Sequence, residues 1–284
     1  MNKMRSLLYI TCLSIFVICQ VANSQQMRIA TYNIRYDNPR DSGNLWVDRL
    51  PRITALLEYH DFDIFGTQEG LKHQLEQLLK SLKGYEMYGI ARDDGKNEGE
   101  HAAIFYRKES FQLLDKGDFW LSPTPDQPGK GWDANINRIC SWIKLQEKRT
   151  KNVFFLFNVH YDHQGIIARK ESSRLLLRKI PQITNGAPFI LTGDFNGNHE
   201  SEWYRMLQAS GMMLDAMTLA QKPYAPNGTF NGFRSSGISN DIIDHIFISR
   251  DFTVGEYAIL TDSYLGKFPS DHFPVTTTLL WNTK

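Results

Sequence analysis

Polar side chains that can bind metals or phosphate follow six apolar, strand-like segments of the sequence. Each segment runs into an acid, an amide or an imidazole, and these residues are Asn33, Glu69, His160, Asp162, Asp194, Asn196, Asp244, Asp271 and His272. Strand ends on one edge of a sheet lie close together, so these groups could share one pocket. Carboxylate and amide oxygens are ligands that Mg²⁺ prefers, and imidazole and amide groups can donate to a phosphate.

Any one of these residues alone is weak evidence for chemistry. An Asp or Asn at a strand end commonly forms a turn, and a single His commonly has a structural hydrogen-bonding role. Six strand ends that carry this set by chance are improbable. The pattern therefore predicts a divalent-cation site that acts on a phosphate ester.

The strands and helices that position these residues can be predicted from the sequence. Apolar runs rich in β-branched and aromatic residues predict strands at 27–34, 62–67, 102–106, 139–145, 153–159, 189–192, 242–248 and 273–281. Helical periodicity predicts four helices, at 48–57 with Pro51 in the first turn, at 71–79, around 175–180, and from Ser201 to Gly211. Early helices alternate with strands and later strands are consecutive, which favours an α/β fold with two packed sheets and outer helices.

Three polar stretches predict long surface loops, at 92–101, 122–137 and 221–240. Their Gly, Pro and Asn residues mark turns. Loops of this length in a compact domain are often functional.

The N-terminus has the pattern of a signal peptide. Lys3 and Arg5 precede an apolar run too short to span a bilayer with ease, and small residues then predict cleavage before Gln25. We expect residues 1–24 to be removed, residues 25–284 to form a single domain, and the protein to be exported to the periplasm or secreted. The alternative is an uncleaved membrane anchor.

Removal of residues 1–24 changes the charge and the cysteine content. It leaves 30 basic and 31 acidic residues, a net charge of −1, and Cys140 as the one remaining cysteine. An intrachain disulfide is then excluded. Proteins that follow a nucleic-acid backbone usually carry a basic stripe, so nucleic acid stays open as a partner but is not favoured.

Six motifs occur in the order found in one enzyme superfamily. They read Thr31-Tyr32-Asn33-Ile34, Thr67-Gln68-Glu69, Asn158-Val159-His160-Tyr161-Asp162-His163, Thr192-Gly193-Asp194-Phe195-Asn196, Ile243-Asp244-His245-Ile246 and Ser270-Asp271-His272-Phe273-Pro274-Val275. The chain resembles the endonuclease/exonuclease/phosphatase superfamily over essentially its whole mature length. The resemblance implies a four-layer α/β sandwich of the deoxyribonuclease-I-like type, with two packed mixed β-sheets flanked by helices.

The resemblance is greatest to the deadenylase-like branch and its secreted bacterial relatives. The chain departs from that branch after Asn196, where Gly197-Asn198-His199-Glu200 stands in place of a continuation toward Pro. A nucleotide-specific pocket therefore does not follow from the resemblance.

The resemblance also implies which of the residues that follow the strands bind the metal. Glu69 is similar to the principal metal ligand, Asn33 would lie close to the metal and the scissile phosphate, and Asp271 would lie beside the metal. The implied cofactor is Mg²⁺ or Mn²⁺.

The remaining motif residues resemble the catalytic groups. Asp194 would orient and deprotonate the attacking water, and Asn196 would donate to the phosphate. His272 would bind a phosphoryl oxygen while Asp244 holds its ring in orientation, and His160 would contact the phosphate from the opposite strand. An Asp–His pair keeps an imidazole protonated near neutral pH, which suits the charge that develops during in-line attack.

Two further polar residues are candidates for substrate binding. Arg138 could clamp a phosphate with two hydrogen bonds, or it could form a surface salt bridge. Asp162 could join a network behind the site, or it could cap a loop. Aromatic residues such as Trp46, Trp120 and Trp142 could line a cleft, although core packing is the better expectation for them.

The sequence therefore predicts a divalent-metal-dependent hydrolase that cleaves a phosphomonoester or phosphodiester of a small or lipid-linked substrate. Two alternatives stay open: a secreted nuclease, and a phosphate-binding protein that has lost turnover. No stable membrane span is expected after signal cleavage. We expect a monomer.

Overall fold

Residues 26–282 are described by the computed structural model of the chain. The strands are Met27–Asn33 (β1), Ile64–Gly70 (β2), Tyr85–Tyr88 (β3), His101–Arg107 (β4), Phe111–Trp120 (β5), Ile139–Glu147 (β6), Val153–His160 (β7), Phe189–Asp194 (β8), Leu214–Asp215 (β9), Lys222–Tyr224 (β10), Asp244–Ile248 (β11), Phe252–Ile259 (β12) and Val275–Trp281 (β13). The helices are Trp46–His60 (α1), Lys72–Ser81 (α2), Ile166–Thr184 (α3), Glu202–Ala209 (α4) and Ala216–Leu219 (α5). The predicted signal peptide lies outside the described residues.

The strands form two mixed sheets. We call sheet A the seven strands in the order β10-β12-β13-β1-β2-β4-β3, and sheet B the six strands in the order β5-β6-β7-β8-β11-β9. Their inner faces pack through buried aliphatic side chains, among them Ile29, Ile64, Ile104, Leu156, Ile190 and Ile246. Burial of such side chains stabilises the fold by about 1.5–3 kcal/mol each.

Helices cover both outer faces. Ile53 and Leu57 of α1 and Leu75 of α2 pack on sheet A beside Phe65 and Phe105. On sheet B, the apolar face of α3 and α4 packs against strand residues, and this cluster includes Leu175, Leu176, Ile180, Leu207, Phe157, Leu191 and Phe247. Each helix buries one apolar stripe against a sheet. The predicted four-layer α/β sandwich is confirmed.

The sequence predicted the central strands better than the outer ones. Strands are found at all eight predicted places, and helices at all four. The prediction missed five strands, β3, β5, β9, β10 and β12, and the short helix α5. Strand β5 carries exposed charged residues in its middle, β12 alternates without a long apolar run, and β10 is a short exposed strand inside the predicted loop 221–240. Helix α1 begins at Trp46, two residues before the predicted start, so Pro51 lies in the second turn rather than the first.

Strand directions bring the motif residues to one edge. Strand β1 runs parallel to β2, and β7 runs parallel to β8, so their carboxyl ends lie together within each sheet. Strands β13 and β11 run antiparallel to β1 and β8, which places their first residues at the same edge. In the register of sheet B, Asp194 lies opposite both His160 and Asp244.

Asn158 joins the two sheets with hydrogen bonds below that edge. Its Nδ2 donates to the carbonyl oxygens of Thr67 (2.8 Å) and Ala103 (3.0 Å) in sheet A. Its Oδ1 accepts from Gln68 Nε2 (2.7 Å) and Thr192 Oγ1 (3.1 Å). Gly66 must lack a side chain, because a Cβ there would lie 2.4 Å from Asn158 Oδ1. The polar bridge fixes the sheets relative to each other where the site forms.

No helix within residues 26–282 is both long and apolar enough to cross a membrane.

Candidate active site

A cleft of about 660 Å³ opens at the edge where the strand ends meet. Its lining includes seven of the ten predicted site residues, namely Glu69, Arg138, His160, Asp194, Asn196, Asp271 and His272. Asn33, Asp162 and Asp244 lie directly behind them and are buried. The cleft is large enough for a small-molecule substrate.

Glu69 is aimed into the cleft by an irregularity in β2. The pairing of β2 with β4 shifts register between Thr67 and Gly70, and Glu69 adopts a left-handed backbone conformation with φ of 65°. Positive φ is uncommon for residues other than Gly, and such bulges often re-aim side chains beside active sites. Its carboxylate accepts from Asn33 Nδ2 (3.0 Å) and from the backbone N–H of Tyr36 (3.2 Å).

Asn33 lies next to Glu69, the predicted principal metal ligand. Its Oδ1 accepts the backbone N–H of Arg35 at 3.0 Å, so the amide nitrogen faces the acids. Nδ2 lies 3.0 Å from Glu69 Oε1 and 3.1 Å from Asp194 Oδ2. An amide nitrogen does not ligate Mg²⁺, and Asn33 therefore positions these two carboxylates by donating to both.

His272 and Asp244 form the predicted pair. Nδ1 of His272 lies 2.9 Å from Asp244 Oδ2, and its Nε2 lies 3.8 Å from Asp194 Oδ2. Burial disfavours the charged ring, but the charge and hydrogen bond of Asp244, together with the charges of Asp194 and Asp271, hold the pKa of His272 well above its usual range. The imidazole is thus protonated at neutral pH, with Nε2 directed toward the cleft.

Asp194 occupies the centre of the arrangement. Burial, aided by the charge of Asp244, raises the pKa of Asp194 to about 7. A carboxyl group with such a pKa suits proton abstraction near neutrality. The preceding Gly193 permits close strand packing, because a Cβ there would lie 2.4 Å from the Val159 carbonyl oxygen.

Asn196 turns the chain away from β8. It has a φ of 45°, its backbone N–H donates to Asp194 Oδ1 (2.9 Å), and its Nδ2 donates to the carbonyl oxygen of Tyr161 (3.0 Å). An amide carries a second N–H. Asn196 can therefore fix Asp194 and still donate to a ligand in the cleft.

His160 is a neutral imidazole in this site. Burial, with the charges of Arg138 and Arg92, holds the pKa of His160 well below its usual range. Its Nε2 lies 3.5 Å from Asp194 Oδ2, and its buried Nδ1 has no hydrogen-bond partner among the described residues. The predicted contact with phosphate fits this position across the cleft from His272.

Arg138 is buried rather than at the surface, which excludes the surface salt bridge. Its side chain is 4% exposed, yet its Nε and Nη1 lack hydrogen-bond partners among residues 26–282. A buried guanidinium with unpartnered N–H groups is costly unless a ligand satisfies them. Asp162 Oδ2 lies 3.6 Å from Arg138 Nε and supplies the nearest counter-charge.

Asp162 itself does not line the cleft. Its Oδ1 accepts the backbone N–H groups of Gln164 (2.9 Å) and Gly165 (2.7 Å), and its Oδ2 accepts that of Asn135 (3.1 Å). These contacts match the loop-cap interpretation. The residue joins two loops behind Arg138 and supports its position, so the predicted direct contact with substrate does not fit the geometry.

Sequence reasoning missed several charged residues of the cleft. Arg35 lies between Asp41 (2.8 Å), Asp271 (3.7 Å) and Glu69 (3.8 Å), directly after the first motif. Arg92 and Glu100 come from one predicted loop and form an ion pair at the opposite wall. His163 also lines the cleft. Two sequence features could have identified them. Arg35 lies next to the first motif, and Arg92 and Glu100 lie in the predicted loop 92–101.

Arg49 supports the segment that carries Arg35. It is fully buried and donates to the carbonyl oxygens of Ile34 (2.6 Å), Arg35 (3.0 Å) and Asn44 (2.9 Å). These bonds hold the chain where Tyr36 donates to Glu69. A helical arginine on the apolar face of α1 gave no sequence signal for this role.

The residues present fit a divalent cation. Glu69, Asp194 and Asp271 place three carboxylates at one end of the cleft, and burial raises the pKa of Asp271 to about 6. Asp194 Oδ2, Asp244 and His272 also have atoms within 4.8 Å of one another. Hard oxygen donors in a partly hydrated site suit Mg²⁺ or Mn²⁺. Because Asp244 is already paired with protonated His272, Glu69 and Asp271 are the better ligands.

The fold and cleft define a class of enzyme, an α/β sandwich whose strand ends place carboxylates, amides and an Asp–His pair around one cleft. Residues 30–272 match the model of the Endonuclease/Exonuclease/phosphatase family. The chain belongs to this family and is a phosphoric ester hydrolase, which confirms the resemblance read from the motifs.

Two solved structures from Bacteroides thetaiotaomicron are similar over almost their full length. One is an endonuclease/exonuclease/phosphatase family protein, 45% identical, with a TM-score of 0.89 and coverage of 91% of this chain and 96% of that one. The other is a mannosyl-6-phosphatase, also 45% identical, with a TM-score of 0.88 and coverage of 90% of this chain and 100% of that one.

A eukaryotic relative has a longer chain. Rat (Rattus norvegicus) nocturnin is 25% identical over 252 residues, which cover 81% of this chain and 56% of nocturnin. The present chain therefore spans little more than half of that relative. The deadenylase-like branch is represented among its relatives, as the motifs predicted.

Proposed function

We propose that this chain is an exported, Mg²⁺- or Mn²⁺-dependent phosphatase that hydrolyses a small, polar phosphomonoester of the sugar-phosphate class. The observation that carries the proposal is the pairing of two features in one cleft. Asp194 and the protonated His272 lie 3.8 Å apart at one side, and Arg138, whose Nε and Nη1 lack hydrogen-bond partners among the described residues, lines the same cleft.

The residues of the chain have distinct tasks in such a reaction. Asp194 orients a water molecule and takes its proton, as its raised pKa allows. His272 donates from Nε2 to a phosphoryl oxygen and balances the charge that develops there, while Asp244 fixes the ring. Asn33 keeps Glu69 and Asp194 in place.

A divalent cation held by Glu69 and Asp271 would supply charge neutralisation for the phosphate. Glu69 is prepared for this task by the hydrogen bonds that fix its two oxygens. Arg35 lies between the same two carboxylates and limits their mutual repulsion.

A monoester fits the number of positive groups better than a diester does. A phosphomonoester carries up to two negative charges, and Arg138 can bind two of its oxygens side by side. Glu100 and His163, which also line the cleft and lie near Arg138, offer polar atoms suited to sugar hydroxyl groups. The 45% identical mannosyl-6-phosphatase supports this substrate class.

The test is a substrate panel with protein that begins at Gln25. Phosphate release from mannose 6-phosphate and other hexose phosphates is compared with cleavage of bis(p-nitrophenyl) phosphate, an oligonucleotide and phosphatidylcholine-type headgroups, with added Mg²⁺ or Mn²⁺. Asp194→Asn is the inactive control. We expect the highest kcat/KM on a sugar monoester and a loss of about 10²–10⁴ in the variant.

A different substrate preference would overturn the proposal. Highest activity on the oligonucleotide would assign the chain as a nuclease, and highest activity on a lipid headgroup would assign a lipid phosphodiesterase. Tight phosphate binding without turnover on any ester would make it a binding protein.

Export has its own test. Expression of the full-length chain in a Gram-negative host, followed by fractionation and N-terminal sequencing, should yield a protein in the periplasm or medium that starts at Gln25. A protein retained in the membrane with Met1 intact would overturn the cleavage and support an anchor.

A further inference from the structure

A second group of metal-binding side chains lies outside the cleft. Nε2 of His199 lies 3.3 Å from Asp215 Oδ2, and Nδ1 of His245 lies 3.8 Å from the same oxygen. One ligand atom from each residue falls within 4.8 Å of the others. We propose that His199, Asp215 and His245 form a second cation site, suited to Zn²⁺ or a similar transition metal.

The site is separate from the active site because of strand geometry. Successive side chains of a strand point to opposite faces. Asp244 faces His272, whereas His245 faces the outer side of sheet B and packs against Tyr204 and Phe247. A strand therefore separates the two sets of ligands.

His245 makes the hydrogen bond to a carbonyl oxygen that is typical of metal-binding histidines. Its Nε2 lies 2.9 Å from the carbonyl oxygen of Gly197, so Nε2 carries the proton and donates. The neutral ring then presents the lone pair of Nδ1 toward Asp215, at a distance beyond hydrogen-bond range. Metal-ligating histidines almost always donate their other ring N–H to a carbonyl or carboxylate in this way.

Asp215 is held in a matching orientation. Its Oδ2 accepts from Tyr204 Oη at 2.6 Å, and its Oδ1 accepts the backbone N–H of Met217 at 2.7 Å, where it caps α5. The side chain is 1% exposed. A buried carboxylate fixed by two donors and faced by two imidazoles needs little rearrangement to bind a cation.

The spacing fits a small tetrahedral ion. Ligands at about 2.0–2.1 Å from zinc in a tetrahedron lie about 3.3 Å apart. His199 Nε2 lies at that distance from Asp215 Oδ2, and His245 Nδ1, at 3.8 Å, would move closer on binding. Two imidazoles and one carboxylate favour zinc over Mg²⁺, which prefers all-oxygen sites. The side chain of His199 is 32% exposed and leaves a route for entry and for a water as fourth ligand.

The inferred site would fasten three segments together. His199 follows the turn that starts at Asn196, Asp215 ends β9, and His245 lies in β11 next to Asp244. A metal here would hold the Asn196 turn to the strand that orients His272. The role we infer is stabilisation of these segments rather than chemistry on a substrate.

Zinc binding is measured on chelator-cleared protein that begins at Gln25, in the Glu69→Gln background. That substitution removes the proposed active-site ligand and the phosphatase activity, and the His199 variants assign the bound Zn²⁺ to the second site rather than to Asp194, Asp244 and His272. Zn²⁺ is titrated in competition with a chromophoric chelator, Co²⁺ absorption reports tetrahedral geometry, and Tm is recorded with and without Zn²⁺. Three further variants each combine Glu69→Gln with one more substitution: His199→Ala, His199→Gln or His60→Ala.

His60→Ala is a matched control, because His60 contacts Asp262 at 3.1 Å in an isolated His–Asp pair. We expect one Zn²⁺ per chain, intense tetrahedral Co²⁺ bands and a zinc-dependent rise in Tm in the Glu69→Gln protein and with His60→Ala. Both His199 variants should lose more than the roughly 10–100-fold in affinity that a supporting residue costs.

Two results would overturn the site: no bound Zn²⁺ in the Glu69→Gln protein, or unchanged affinity in the His199 variants. Circular dichroism and the metal-free Tm show that the His199 variants fold. Because His199 is partly exposed, both should match the parent protein without metal. Failure of this test leaves the proposed phosphatase activity untouched, since that activity depends on Glu69.

Discussion

Nδ1 of His272 lies 2.9 Å from Oδ2 of Asp244 although the two residues belong to different sheets. Asp244 begins β11 in sheet B, and His272 precedes β13 in sheet A. Both side chains are buried. The pair therefore forms only when the two sheets pack together, and packing of the core is coupled to the charge state of the His272 imidazole.

Asp244→Asn should weaken catalysis and shift the alkaline limb of the pH–rate profile to lower pH. Asp244 raises the pKa of His272, so the ring stays protonated, and activity persists, until pH rises through that raised value. Without the carboxylate, the fall in rate should begin at lower pH, and kcat near pH 7.5 should fall on the order of 10²-fold. The measurement is kcat and kcat/KM across pH 5–10. An unchanged alkaline limb would show that His272 is not the titrating group.

Glu69→Gln should remove the response to divalent cations. The amide keeps the shape of the side chain but loses the charge that binds a hard cation. We expect activity to fall on the order of 10²–10⁴-fold, and exhaustive chelation to reduce the parent protein to the same level. Calorimetric Mg²⁺ titrations measure the loss of binding directly. Parent activity that survives chelation would contradict the proposed cofactor.

Arg138→Lys should affect substrate binding more than stability. Lysine keeps the positive charge near Asp162 but cannot present two parallel N–H groups to a phosphate. We expect KM for a phosphomonoester to rise about 10-fold with a smaller change in kcat. Arg107→Lys, at the far end of β4, is the control and should leave both constants unchanged. Equal kcat and KM values in the two variants would show that Arg138 does not bind the substrate.

Asn158→Ala should destabilise the fold without touching the cleft. The substitution removes four buried hydrogen bonds, those to the Thr67 and Ala103 carbonyl oxygens, to Gln68 and to Thr192. We expect the free energy of unfolding to fall by about 2–4 kcal/mol, with Tm lower by roughly 5–15 °C. Asn152→Ala, at a partly exposed position before β7, should change Tm little. Denaturant and thermal unfolding measure both.

The central strands and most cleft residues were predictable because their signals are local. Buried strands such as β1 and β8 are short apolar runs, and each ends in a residue that can bind a metal or phosphate. The motif order then gave each residue an expected task. Strand direction completes the inference, since residues that end neighbouring parallel strands meet at one edge.

Other assignments required atomic positions. Asn33 has the motif position predicted for a residue beside the metal, yet the Arg35 backbone takes its oxygen and leaves its nitrogen facing two acids. Arg138 and Asp162 were each given two interpretations. Burial excludes the surface salt bridge of Arg138, and three backbone hydrogen bonds identify Asp162 as a loop cap. Hydrogen-bond direction and solvent exposure depend on neighbours distant in the chain, so local pattern cannot supply them.

The sequence alone determined the order of the elements, the apolar faces that must pack, and the acids, amides and imidazoles that follow the strands. The tertiary structure alone decided which of these groups touch. It placed His272 on Asp244, brought the unpredicted Arg35 between Glu69 and Asp271, and gathered His199, Asp215 and His245 on the outer side of sheet B. The physical reason is that burial and electrostatic coupling act over a few ångströms in space, whatever the separation along the chain.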